Sequence, residues 1–248
     1  MDARLDMRIA HDGQANVARR FAALLRRYER SVRSLIDWID PSWLAGVISP
    51  GVVELAVDTA ERAQLSLAVA ERLGVSAPPL ASFNTSATDV LGMLEVHEVL
   101  DLCRIRALLF RRAELRSWID RPSRERVSQW AGHDATFFVR ALQAMPDAPK
   151  VERLTRSGHA PELGALTASQ LAWEGWNLFA CDERTSERGP WWLLRFALPR
   201  ELDTTPWIAA HRALFDERAY GPDNERVFLQ LKHWFGQRTW SSGFDSLG

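Results

Sequence analysis

The segment Leu102-Cys103-Arg104-Ile105-Arg106-Ala107-Leu108-Leu109-Phe110 decides the fold class. It lies inside a longer run, residues 88–119, whose apolar positions Leu91, Leu94, Val99, Leu102, Ile105, Leu108, Leu109 and Trp118 spread over more than one helical face. A helix that is apolar most of the way round is buried on most of its circumference. The run is therefore expected to be a central, buried helix with the other elements packed around it. Arg121-Pro122-Ser123 breaks it, because the residue before a proline is pushed out of the α region.

Upstream, the stretch from about Asn16 to Ile39 reads as an amphipathic helix. Val17, Phe21, Leu24, Leu25, Tyr28, Val32, Leu35, Ile36 and Ile39 fall on one sector at about 100° per residue. Arg19, Arg20, Arg26, Arg27, Arg30 and Arg33 fall opposite. Asp40-Pro41 ends this helix and caps a short following one. A second long helix is expected from Pro50 to Leu73, closed by Gly74, and then a loop from Val75 to Thr88 containing Pro78-Pro79. Downstream, helices are expected at 123–131, 134–145, 167–182, 205–220 and 223–237. The apolar run Trp191 to Leu198 has no periodicity that decides its type. No pair of period-2 strands with hairpin turns exists. The expectation is a mainly α, irregular domain of about eight helices with little or no sheet. It divides into a flexible N-terminus (1–14), a helical domain (15–149), a C-terminal helical subdomain packed on it (150–240) and a tail (241–248).

The 248-residue chain is long enough to bury a core without staples. Its 31 basic and 32 acidic residues leave a net charge of -1, which argues against a dedicated nucleic-acid binder. Cys103 and Cys181 show no metal or redox spacing. The N-terminus interrupts its apolar residues with Arg and Asp and offers no signal-peptide core. No stretch reaches the roughly 20 apolar residues of a membrane span. A cytoplasmic protein is expected.

The search for chemistry finds no GxxxxGK[ST], GxGxxG or GxSxG pattern. The one catalytic candidate is His97-Glu98-Val99-Leu100-Asp101, a relative of HExxH in which Asp101 replaces the second His. It supports an alternative reading as a helical metal-dependent hydrolase, against a structural one in which Glu98, on the apolar stripe, pairs with an Arg inside the bundle. No cofactor is implied.

Charge is unevenly placed. Residues 15–33 hold six Arg against one Glu, residues 104–126 eight Arg against three acids, and residues 51–101 eight acids against two Arg. The helices either pair with one another or present Arg to an acidic partner. Of the 11 Trp, the adjacent Trp191 and Trp192 stand out, because neighbours on a helix or strand cannot both face the same core. At least one must reach another surface. The partner-binding candidates are Trp191, Trp192 and Arg195, with Arg26 and Arg30 on the first helix.

Three blocks then resemble one family. The segment Tyr28 to Ala45, including Ser34-Leu35-Ile36-Asp37-Trp38-Ile39-Asp40-Pro41-Ser42-Trp43-Leu44, is similar to the N-terminal region of the SctK (YscK-like) proteins of bacterial type III secretion, Hrp branch. Leu102 to Phe110 with Leu115 to Gly132 resembles that family's middle helices. Gly175 to Pro199, ending Leu194-Arg195-Phe196-Ala197-Leu198-Pro199, resembles its C-terminal block. The resemblance implies a helical, non-enzymatic adaptor of the cytosolic sorting platform. Its implied partners are the inner-membrane ring protein SctD and the pod protein SctQ, and its implied place is peripheral to the inner-membrane face of the apparatus.

Overall fold

The computed structural model describes residues 3–83, 91–92, 94–132, 136–144, 160–180, 189–204, 207 and 227–230. Among the described residues every regular element is a helix and there is no strand, as the patterning predicts. The expected helices at 205–220 and 223–237 lie almost wholly outside the described residues.

Two helices form the centre. α6 (Val96–Phe110) buries ten of its residues, from Glu98 to Phe110, and packs along α10 (Ala168–Ala180), in which Leu171 to Phe179 are all buried. Their backbones come unusually close where Gly175 meets Cys103. A Cβ built on Gly175 would sit 1.7 Å from the Cys103 carbonyl oxygen, so only glycine permits this crossing. α8 (Arg121–Ala131) packs on α6, and α9 (Thr136–Ala144) on α7 (Arg112–Leu115) and α8. Together they enclose the larger apolar core.

A second, smaller core lies under the N-terminal helices. Leu35 and Ile36 of α2 (Leu35–Trp38), Trp43 of α3 (Pro41–Leu44), and Val69 and Ala70 of α5 (Thr59–Arg72) meet there. α1 (Ala3–Arg33) crosses α5 and contributes Tyr28 and Val32 to its edge.

Several boundaries differ from the sequence expectation, each for a local reason. α1 starts at Ala3 instead of Asn16, since the residues before Asn16 include strong helix formers such as Ala, Arg, Leu and Met, no proline, and one glycine. The expected helix Pro50 to Leu73 is two: α4 (Pro50–Leu55) stops, and α5 begins with a capping box in which the Asp58 carboxylate accepts from Glu61 N and the Glu61 carboxylate accepts from the Asp58 backbone. That reciprocal cap restarts the helix. The central helix is shorter than residues 88–119. It begins after a second capping box, Glu95 with Glu98, and breaks at Arg111, whose backbone (φ -89°, ψ 20°) leaves the helical region.

The Arg111 side chain, at this break, is committed to the core. Its Nε donates to Glu174 on α10 at 2.6 Å, and its Nη1 to Glu114 at 3.0 Å and to the Pro161 carbonyl at 2.9 Å. Both Arg111 and Glu174 are buried. Burial pushes the Glu174 carboxyl above its ordinary value, and the Arg111 guanidinium offsets only part of that rise. The pair ties α6, α7 and α10 together at a centre that also buries Arg106 and Asn177.

Candidate functional site

The run whose type periodicity leaves open, Pro190–Ala197, is a 3-10 helix. With three residues per turn, positions i and i+3 eclipse and the side chains sort into three rows. Each row has a different destination. Trp191 and Leu194 enter the larger core, and Leu193 and Phe196 enter the smaller one. Trp192 and Arg195, the third row, are left half-buried at the surface. One short segment therefore rivets the two cores together and presents a tryptophan and an arginine outward.

The C-terminal end of this segment is pinned. Asp40 N donates to the Phe196 carbonyl at 2.7 Å. The indole of Trp43 donates to the Leu198 carbonyl and that of Trp173 to the Pro199 carbonyl, each at 2.7 Å. Arg200 N donates to the Ser42 hydroxyl at 2.8 Å. The Leu-Pro terminus is thus clamped between α3 and α10.

Trp192 and Arg195 line a groove of about 570 Å3 together with Tyr28 of α1 and the loop Gly74 to Pro79. The Arg195 guanidinium lies 5.1 Å from the Trp192 ring centroid, 4.8 Å from that of Phe196 and 5.6 Å from that of Trp43. Stacking of this kind holds a guanidinium flat against an aromatic surface. The Trp192 ring rests against Trp191 and Trp176, at 5.8 Å from each. On the opposite wall, the Tyr28 hydroxyl donates to the Ser76 carbonyl at 3.3 Å, tying the loop to α1. Burial pushes the Tyr28 phenol up, so it stays neutral. The groove offers an apolar and aromatic floor, a fixed cation and a proline-bearing rim.

Of the candidate residues, Trp192 and Arg195 therefore share one site. Trp191 does not belong to the surface. It is 1% exposed and stacks on Trp176 at 4.3 Å, because the 3-10 register turns it into the larger core. Arg26 and Arg30 are exposed on α1 and are not among the groove-lining residues. Their neighbour Arg27 instead turns inward, to the Glu95 carboxylate at 2.5 Å and the Leu94 carbonyl at 2.9 Å, one instance of a basic helix pairing with the acidic stretch. Tyr28 and the loop wall were not legible as site residues. The Gly74-Val75-Ser76-Ala77-Pro78-Pro79 turn was the available signal, and it reads only as a loop.

The His97 to Asp101 segment is used structurally. The Glu98 carboxylate accepts from Glu95 N at 2.8 Å, closing the α6 capping box, and Asp101 takes the Arg104 guanidinium at 2.6 Å. Among the described residues no group of three or more His, Cys, Asp or Glu is placed to hold a metal ion. Burial pushes the Cys103 thiol up to about 12, which leaves it a packing residue and not a nucleophile.

A family model described as bacterial type III secretion protein (HrpB4) matches residues 14–234. The chain belongs to the HrpB4 family. The match takes in α1 from Gln14 onward, the α6–α10 crossing and every groove-lining residue. Neither the curated proteins nor the solved structures give a match. Membership of HrpB4 makes the chain a type III secretion protein, as the resemblance implies at that level. No described helix is long and apolar enough to cross a membrane.

Proposed function

We propose that this HrpB4-family protein is an SctK-like, non-enzymatic adaptor of the cytosolic sorting platform, joining the cytosolic part of the SctD ring protein to the SctQ pod protein by protein contacts. Its working place is the cytoplasmic side of the apparatus, peripheral to the inner membrane. One observation carries the reading: the 3-10 segment buries two of its three side-chain rows, while the third, Trp192 packed on the larger core and Arg195 stacked on its aromatic neighbours, lines a groove. Trp and Arg are the residue types enriched at the energetic centres of protein interfaces. The aromatic floor suits an apolar anchor of a partner segment.

The test is a pull-down of the purified chain with SctQ and with the SctD cytosolic domain from the same genome. Retention of both supports the adaptor, and retention of neither overturns it. The double variant Trp192→Ala, Arg195→Glu should lose one of the two partners while its helical circular dichroism persists. Arg26→Glu with Arg30→Glu tests the exposed face of α1 in the same way.

A further inference from the structure

A second surface lies away from the groove, on α4 and its link to α5. α4 has no buried residue. Val53 alone turns partly toward the smaller core, while Val52 and Leu55, three apart and so on one face, are 45% and 76% exposed, and Val57 is 84% exposed. Isolated exposed apolar residues are ordinary, but a contiguous set is the mark of an interaction surface.

The exposed link is not a loose end. Glu61 Oε2 accepts from Val57 N at 3.0 Å and from Asp58 N at 3.4 Å. Arg62 Nη1 donates to the Ala56 carbonyl at 3.3 Å while its Nε is held by Asp37 at 2.7 Å. Both peptide groups that flank Val57 are thereby fixed, and a fixed anchor pays little ordering cost on binding. Apart from Arg62, whose guanidinium is paired with Asp37, the chain leading up to these anchors is acidic. From Ser34 to Glu61 there are 28 residues with no Lys or Arg and with Asp37, Asp40, Glu54, Asp58 and Glu61. Glu54, Asp58 and Glu61 are exposed beside the apolar anchors.

We propose that the α4–α5 shelf, with Val52, Leu55 and Val57 as anchors and Glu54, Asp58 and Glu61 as rim, docks a basic amphipathic helix of another protein. The apolar stripe of such a helix covers the three anchors, and its Lys or Arg residues face the acidic rim. This inference shares with the adaptor reading only that the chain works through protein contacts. It does not depend on SctD or SctQ, nor on the groove.

The experiment places the photo-crosslinker p-benzoylphenylalanine at Leu55 of the full chain, in the secreting bacterium, with the same probe at Glu125 as a control site. Crosslinked peptides are identified by mass spectrometry. The expected adduct forms at Leu55 and not at Glu125, and maps to a segment of another protein with net positive charge and apolar residues at i, i+3 or i+4 spacing. Glu54→Arg, on a side chain that faces solvent, should lower its yield about fivefold. The proposal is overturned if the Leu55 yield equals that at Glu125, or if the adduct maps to an acidic or uncharged segment or to a second copy of this chain. It is equally overturned if Glu54→Arg leaves the yield unchanged. The same crosslink also separates this proposal from the adaptor reading, since a basic helix captured from a protein other than SctD or SctQ supports the shelf and leaves the pull-down to decide the adaptor.

Discussion

Replacing Gly175 by alanine tests the central packing of this fold with the smallest possible change. The added Cβ would lie 1.7 Å from the Cys103 carbonyl oxygen, 2.5 Å from its carbon and 2.9 Å from its Cα. All three are backbone atoms of α6, so no side chain can swing aside. Restoring an ordinary contact near ~3.5 Å requires α6 and α10 to part by roughly 1.5–2 Å. Overpacking in cores costs about 1–3 kcal/mol and more where backbone must move. Alanine gives back about 1 kcal/mol of helix propensity. Because the α6 backbone must move, the gross cost lies at ~3 kcal/mol or above and the net loss at about 2 kcal/mol or more, a large part of the ~5–15 kcal/mol that holds a typical domain. Urea unfolding followed by tryptophan fluorescence measures it as a lower midpoint with an unchanged slope. Gly51→Ala is the control, since α4 has nothing within 4 Å of a Cβ there, and it should leave stability unchanged or raise it by up to about 1 kcal/mol. A Gly175→Ala midpoint within ~0.5 kcal/mol of the parent would show that the close crossing is not what the backbone geometry says it is.

Three further perturbations read out other parts of the account. Arg111→Met leaves the Glu174 carboxylate buried without its nearest cation and should cost about 3–5 kcal/mol; adding Glu174→Met should recover much of that, and strict additivity in the double-variant cycle would deny the coupling. The Arg27 guanidinium holds the Glu95 carboxyl below the usual range, so the contribution of this pair is complete above that range and disappears as pH falls through the lowered value. Glu95→Gln should flatten the acid side of a stability-against-pH curve, by no more than the ~0.2–1 kcal/mol of a half-exposed pair, and an unchanged acid slope would place the effect elsewhere. Trp191→Ala should destabilise by about 3–5 kcal/mol, whereas Arg195→Glu should cost less, about 1–2 kcal/mol for its lost stacking; equal effects at both positions would refute the sorting of this segment into core and surface rows.

The burial of the central helix was legible because Leu102 to Phe110 leaves almost no polar face. The pairing of basic and acidic helices was legible from charge runs, and Arg27 with Glu95 shows it. What the pattern hid were the points where a side chain overrides periodicity. Asp58 and Glu61 cap reciprocally and cut one expected helix in two. Arg111, at the break of the central helix, reaches Glu174 across 63 residues of sequence. The adjacency of Trp191 and Trp192 correctly signals two different destinations, yet which one is buried depends on a three-residue period that an α-helical or β reading does not contain. Tyr28 and the Pro78-Pro79 loop become groove walls only through tertiary packing, which no local spacing encodes.

The proposed role of this type III secretion protein is to bridge two other components by contact. Immobilised SctD cytosolic domain should capture SctQ only when the chain is added, with a signal that saturates as the chain is titrated and that is lost with Trp192→Ala, Arg195→Glu. SctQ capture that is indifferent to the chain, or a chain that holds neither component, would contradict it.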